Sequence, residues 1–411
     1  MRKTPLIRPE YSERFRCIGP ACEDSCCQGW VVVIDQPAYE KYQTVPAGPL
    51  RTLLDENIEC VTENATPANF AKVRMPASLQ CPMLTEERLC RIHAELGEEF
   101  LCTTCATFPR IATSIDSLPE KSLSLACPEA ARLVLLDPEL MTPRGGGGYQ
   151  MTWDDTKQSV RVLLPFFWPI REVMLTLVRN RTYPLWQRLF LIGTLCRRLD
   201  GVVRGEVDRG VAQVLQGFSA AVQSGTLRTE MEKIPADLGL QLDMVLQLAG
   251  LCRNRALTSA RFIECLEGFK QGIGYEPSAT LPTLIACYGT AYAESFAPFF
   301  AARPHILENL LVNSIFRTQF PFGRKDGRIV PEPEMAREFA LLATQFALIK
   351  GLLIGVAGCH KGGFSADHVV HTVQSASKHF EHHPQFLDEI HALLVTNKRD
   401  NAHGLTMLLR N

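Results

Sequence analysis

Pro143-Arg144-Gly145-Gly146-Gly147-Gly148 separates two kinds of sequence, and the reading of its two flanks decides the fold. Downstream, Val160, Leu163, Leu164, Phe167, Ile170, Val173 and Met174 recur at the i, i+3, i+4, i+7 spacing of one buried helix face. Pro165 and Pro169 are placed to kink that helix. The same periodicity returns over about 184–200, 204–223, 236–252, 257–271, 282–299, 303–317, 334–356 and 364–396. Pro184, Gly201, Pro235, Pro277, Pro304 and the Pro321-Phe322-Gly323 turn punctuate it. No fixed-period repeat runs through these stretches, so a solenoid is not expected. Residues 150–411 therefore read as a large all-helical domain.

Upstream of the glycines the pattern is different. Ten of the 15 cysteines lie between Cys17 and Cys127. The β-branched run Trp30-Val31-Val32-Val33-Ile34, bounded by Gly29 and Pro37, predicts one strand, and the rest is rich in turns. A segment this short gains stability from metal bonds that its small core cannot supply. The expected fold class is mainly α, with a small Cys-rich metal-binding N-terminal module of little β, residues 1–140, ahead of the helical domain. The glycine run itself follows no strand, so a phosphate-cradling loop is not expected there.

Composition narrows the class. The chain has 411 residues, 46% hydrophobic and 21% charged, as in an ordinary globular protein. Its formal net charge of −1 leaves no bulk basic footprint for nucleic acid. No apolar run follows Met1-Arg2-Lys3, so a secretory signal is not expected and the protein is placed in the cytoplasm. Residues 339–358 approach the length of a membrane span, but Thr344, Gln345 and Lys350 interrupt them, with Gly351, Gly355 and Gly358. A buried core helix is the reading here, and no membrane span.

Cysteines in a reducing compartment point to metal ligation or catalysis before disulfides. Two clusters stand out: Cys17-x4-Cys22-x3-Cys26-Cys27, and Cys81-x8-Cys90 followed by Cys102-x2-Cys105 and Cys127. Thiolates three to five positions apart on a turn can converge on one metal. Adjacent Cys26 and Cys27 diverge, which suggests two neighbouring centres or one ligand beside a packing thiol. Disulfides and reduced core thiols remain the competing readings of the clusters. His93, at Cys90-x2-His93, would suit a mixed zinc site, against a plain helix-surface role. Spacing does not choose between zinc and an iron–sulfur cluster. Cys196, Cys252, Cys265, Cys287 and Cys359 sit singly among apolar residues and read as core thiols.

The string Phe15-x-Cys17-x4-Cys22-x3-Cys26-Cys27, with Cys81-Pro-Met-Leu, Leu89-Cys90-Arg-Ile and Thr104-Cys105-Ala-Thr-Phe108-Pro109-Arg110, resembles the CxxCxxCC family of cysteine-rich metal-chelating proteins. Cys26-Cys27-Gln-Gly29-Trp30 with Asp35, Leu96-Gly97-Glu98-Glu99, and Cys127-Pro128-Glu129-Ala130-Ala131-Arg132-Leu133 resemble its flagellin lysine N-methylase branch. The match covers about the first 135 residues, and Asn309-x3-Asn313-x2-Phe316 and Phe320-Pro321-Phe322 extend it loosely. The resemblance implies a [4Fe-4S] cluster and S-adenosylmethionine-dependent methylation of surface lysines on flagellin. It implies Cys17, Cys22, Cys26, Cys27, Cys81, Cys90, Cys105 and Cys127 as metal ligands, with Cys102 and Cys60 ranked below them.

The familiar cofactor fingerprints are missing. No acidic, glycine-rich strand–turn–helix is found, and Cys22-x3-Cys26 would need a third cysteine where Gly29 stands to make a radical S-adenosylmethionine motif. No catalytic base or donor-binding residue is named. Tyr149, Trp153 and Asp154 are candidates to line a cleft beside the glycine linker, as are Glu308, Asn309, Asn313, Phe316 and Arg317 on a helix; interface, core and capping roles compete. Lys378-His379-Phe380-Glu381-His382-His383 reads as a solvated helix end before a metal site. The reading from a different class is a zinc-binding adaptor or chaperone that docks a client through its helices; a redox-maturation factor is a third.

Overall fold

The computed structural model describes every residue except 1–2, 6–8, 79, 116–117, 143–149, 153–165, 204–209, 254–258, 326–327, 331–332, 383, 398 and 400. The glycine linker, Tyr149, Trp153, Asp154, Val160, Leu163, Leu164 and Pro165 thus lie outside the described residues, and with them the point where the chain was expected to divide.

In the first 140 residues the strands are short: β1 (Lys3–Pro5), β2 (Val33–Ile34), β3 (Ile58–Cys60), β4 (Ala71–Val73), β5 (Arg110–Ile115) and β6 (Leu118–Leu123). Five short helices accompany them: α1 (Gln36–Gln43), α2 (Pro49–Asn57), α3 (Arg91–Leu96), α4 (Thr103–Thr107) and α5 (Pro128–Leu136). β2, β4 and β3 form an antiparallel sheet in that order, and β5 and β6 a hairpin. The predicted strand over Trp30–Ile34 keeps only its last two residues. The chain before it turns back instead: Gln28 bridges Gln80, and the Trp30 indole donates to the Cys26 carbonyl at 2.6 Å.

This part of the chain serves two cores. Val32, Ile34, Tyr42, Leu54, Val73 and Met83 close a small one of their own. Tyr11, Phe15, Leu123, Val134 and Leu135 are buried instead in the large core of the helices that follow. β7 (Gln150–Thr152) pairs back with β1, and β8 (Arg324–Lys325) with β9 (Arg328–Ile329).

The helices are α6 (Phe167–Arg179), α7 (Leu185–Val203), α8 (Val211–Ser224), α9 (Arg228–Glu232), α10 (Leu238–Arg253), α11 (Ala260–Gly272), α12 (Leu281–Ala291), α13 (Ala297–Ala301), α14 (His305–Thr318), α15 (Met335–His360), α16 (Ala366–His382), α17 (Pro384–Thr396) and α18 (Ala402–Leu409). The protein is mainly helical, as the periodicity predicts. Pro169 does not kink α6: it stands in the first turn, where backbone N–H groups have no partner within the helix anyway.

α15 is the axis. It is long and apolar enough to cross a membrane, yet 89% of its most apolar window is buried inside the protein by α7, α10, α11, α12, α16 and α18. A helix apolar all round needs such a jacket in water. Its glycines admit close neighbours: a Cβ at Gly272 of α11 would fall 1.7 Å from the Gly355 carbonyl oxygen.

Two asparagines one turn apart on α14 fasten the Cys-rich part to this bundle. Asn313 takes the place of a neighbouring strand along β6, donating to the Leu123 carbonyl at 2.9 Å and accepting from the Leu123 N–H at 3.4 Å and the Tyr11 hydroxyl at 2.7 Å. Asn309 donates to the carbonyls of Val134 and Asp137, at 3.0 and 2.7 Å, where α5 ends and its last carbonyls lack helical partners. Arg171 of α6 donates through Nη1 to both oxygens of buried Glu120, at 3.0 and 3.1 Å, and through Nε to the Phe320 carbonyl.

Candidate thiol centre and adjoining cleft

Local structure sets most of the cysteines. Cys90, Cys102 and Cys127 are the N-cap residues of α3, α4 and α5, with Pro128 pre-organising the first turn after Cys127. Cys105 lies within α4. Asp35 caps α1 through Ala38 N and accepts from Thr103 N at 2.7 Å, joining α1 to the residue after Cys102. Cys81 donates its backbone N–H to the Cys27 carbonyl at 2.8 Å, which brings the two sequence clusters together.

Electrostatics traces the resulting group. The charges of Cys26, Cys81 and Cys90 act on Cys27, and those of Cys102, Cys27 and Cys90 act on Cys105. Cys26 is also felt by Cys22 and, with Cys22, by Cys127. Two pairs share a hydrogen bond. In one, Cys27 gives its thiol proton to Cys26, which lowers the Cys26 pKa to about 7 and raises that of Cys27. In the other, Cys105 serves Cys102 in the same way, lowering Cys102 and raising Cys105. Burial pushes Cys81 up to about 11 and Cys127 up to about 12. N–H groups of Met83, Ile92, His93, Glu129 and Ala130 pull the other way on Cys81, Cys90 and Cys127.

Most of these thiols are held above their ordinary value, and Cys26 and Cys102 are the two lowered. A soft cation reverses that balance, because it replaces the protons and the thiol–thiol repulsion together. Sulfur donors of this kind are what a soft metal or an iron–sulfur group takes. As the side chains now point, no three Cys, His, Asp or Glu among the described residues stand close enough to hold one ion.

Of the eight cysteines expected as ligands, seven fall in this group: Cys22, Cys26, Cys27, Cys81, Cys90, Cys105 and Cys127. Cys17 is exposed, its sulfur accepting from Gly19 N at 3.4 Å. Cys102, ranked below the motif, stands inside the group; its C-x2-C spacing with Cys105 was the available signal. Cys60 is exposed at the end of β3, and His93 is exposed on α3.

The stretch Lys378-His379-Phe380 is not a solvated helix end. All three residues are buried: Lys378 faces the Cys-rich chain, His379 stacks on Phe262 of α11, and Phe380 stacks on Phe386 of α17. Lys378 Nζ donates to Asp24 Oδ2 and to the Ser25 carbonyl, both at 3.0 Å. Glu381 accepts from the Ser124 hydroxyl and lies 3.6 Å from Arg317.

A cleft of about 590 Å³ opens beyond the far end of α5. Leu140, Met141 and Thr142 form one wall, Leu175, Thr176 and Arg179 to Arg181 another, and Glu308, Asn309 and Val312 of α14 the third. Glu308 is buried and held by Arg181 at 2.9 and 3.0 Å and by Arg188 at 3.0 Å. With both guanidiniums on it, that carboxylate is an anchor and not a base. Asn313, Ser314 and Arg317 line a separate void of about 20 Å³, room for little more than one water.

Residues 171–408 match the model of a family described as the FliB lysine N-methylase C-terminal domain. The chain is 24% identical over 424 aligned residues to the lysine-N-methylase of Salmonella typhimurium, with 100% of both chains covered. The same figures hold for the lysine-N-methylase of Salmonella choleraesuis. It is 35% identical over 142 residues to the flagellar biosynthetic protein FliU of Salmonella muenchen, covering 34% of this chain and 83% of that one. No solved structure matches.

Proposed function

The chain belongs to the FliB lysine N-methylase family of protein-lysine N-methyltransferases, and from that premise we propose that it methylates surface lysines of flagellin with S-adenosylmethionine as donor. The thiol group is the observation that carries the cofactor half of this reading: it would hold a [4Fe-4S] cluster. Cys22, Cys26, Cys27, Cys81, Cys90, Cys105 and Cys127 are the candidate ligands, with Cys102 added and Cys17 retained from the motif. Such a cluster, when bound, supplies Lewis-acid or redox chemistry at iron.

Methyl transfer joins the lysine nitrogen lone pair to the donor's methyl carbon. The sulfur–carbon bond breaks, sulfur leaves as a neutral thioether, and the ammonium proton passes to solvent or a base. The enzyme's share is to hold amine and methyl in line and to keep the amine neutral. The cleft between α6 and α14 suits the donor by size, since small-molecule sites run to roughly 300–1,000 Å³. Leu140, Met141, Leu175 and Val312 offer apolar walls for a base; Arg179 offers a guanidinium for a carboxylate. A net charge of −1 gives no long-range pull on flagellin, so docking is by shape and local apolar contact and tolerates moderate salt.

The test is mass spectrometry of flagellin co-expressed with the wild-type protein or with Cys22→Ser/Cys26→Ser. Wild type gives a ladder of one-CH₂ steps that the double variant lacks. Unmodified flagellin beside fully metallated wild-type protein overturns the assignment, and colourless, zinc-loaded protein would favour an adaptor.

A further inference from the structure

Three residues of α16 at i, i+4 and i+7 spacing, Gln374, Lys378 and Glu381, share one helix face. All three grip the chain next to thiols. Gln374 Nε2 donates to Asp24 Oδ2 at 2.7 Å and to the carbonyl of Ala126, the residue before Cys127, at 2.9 Å. Lys378 binds the same Asp24 oxygen and the Ser25 carbonyl, and a Cβ on Gly29 would lie 3.6 Å from its Cε. One lysine thus grips the two residues before Cys26 and lies beside Gly29 after Cys27. The Lys378 and Asp24 side chains are only 8% and 10% exposed. Glu23, the remaining residue of the Cys22-x3-Cys26 loop, pairs with Arg132 of α5 at 2.6 Å.

The other thiols are held differently. Cys81 and Cys102 belong to the small core, with Cys27, Cys90 and Cys105 packed against it. The Cys22–Cys26 loop carries no helix or strand of its own. A loop without internal structure takes its shape from its partners, and a buried ion pair is better suited to fixing one geometry than to adding stability.

We propose that Lys378 and Gln374 are positioning residues for the thiol centre: through Asp24, Ser25 and Ala126, α16 sets the placement of Cys22, Cys26 and Cys127, while the small core sets Cys81, Cys90 and Cys102. The centre is therefore completed by the helical part of the chain, not by the Cys-rich segment alone. This rests on the thiol centre proposed above, but its readout needs neither flagellin nor methyl donor.

The experiment is alkylation of the anaerobically purified full-length protein, with the rate at each cysteine followed by mass spectrometry and metal per chain measured in parallel. In Lys378→Met, the part-buried Cys22 and Cys127 should react faster by about tenfold, as expected when a protecting local structure opens, while Cys81, Cys90 and Cys102 keep their rates. Metal per chain should fall. Lys378→Arg, which retains the charge, should restore the wild-type pattern. Gln374→Leu should raise Cys127 and Cys22 alone and carries the same test if Lys378→Met does not fold. An equal rise at all five thiols would overturn the proposal, since that is general destabilisation. So would unchanged rates at Cys22 and Cys127. If flagellin methylation fails while this pattern holds, the substrate assignment is wrong and the positioning role stands.

Discussion

Asn313 shows how much one side chain can join. It satisfies the N–H and carbonyl of Leu123 and the Tyr11 hydroxyl, all in a buried setting. Asn313→Ala strands those groups without solvent, and an unmade buried hydrogen bond costs about 1–3 kcal/mol. Urea unfolding should show a loss of about 2–4 kcal/mol, within the range of disrupted buried networks. Lys350 is the other buried polar residue with a clear signature. It sits in the apolar axis helix, donating to the Leu409 carbonyl at 2.6 Å and to Asn411, and burial lowers its pKa from 10.5 to about 7. Between those two values the unfolded chain binds the lysine proton and the folded chain does not. Folding stability from this group therefore rises with pH across that window and is flat below it. The wild type should gain on Lys350→Met as pH is raised from about 7 towards 10, measured as the difference between their denaturation midpoints. A difference independent of pH would mean that Lys350 is charged throughout.

Glycines distinguish the helices at the next scale. Gly217 lies exposed on α8, with nothing within 4 Å of where a Cβ would stand. Gly217→Ala should therefore stabilise by about 0.5–1 kcal/mol, the ordinary gain of alanine in a helix interior. Gly272→Ala should do the reverse, by about 1–3 kcal/mol, because its Cβ would collide with the backbone of α15 at Gly355. Thermal melts of the two variants check both signs. The helices themselves were legible, since a 3.6-residue period survives in the sequence wherever one face is buried. Their breaks were less so: the stretch 282–299 divides into α12, a π-helical turn over Tyr292–Phe296, and α13. The strand over Trp30–Ile34 was overstated for a related reason. β-propensity reports a residue's fit to a half-buried sheet, and Trp30 is engaged with Cys26 and Phe108 instead.

For the whole molecule, the metal-dependent predictions separate the clustered cysteines from the solitary ones. Ser at Cys22, Cys26, Cys81 or Cys105 should lower metal per chain and the melting temperature, whereas Cys287→Ser should leave metal content unchanged. Chelation should destabilise the wild type more than the ligand variants, and equal metal loss in both groups would contradict the clustering. The sequence by itself determined the helical class, the buried axis helix and the family resemblance, because periodicity, composition and motif spacing are local properties of the chain. It also marked Cys17 through Cys127 as a group, since ten cysteines in one segment is a compositional fact. What it left open was decided by contacts between residues from 68 to 354 positions apart. Cys102 stands among the thiols because α4 is pinned by Asp35. Lys378 is buried because Asp24, 354 positions away, supplies its counter-charge. Asn309 and Asn313 serve α5 and β6, which only the packed bundle brings within reach. Such pairings leave no period in a single sequence, because the cost of burying each polar group is met by a partner that only the folded chain supplies.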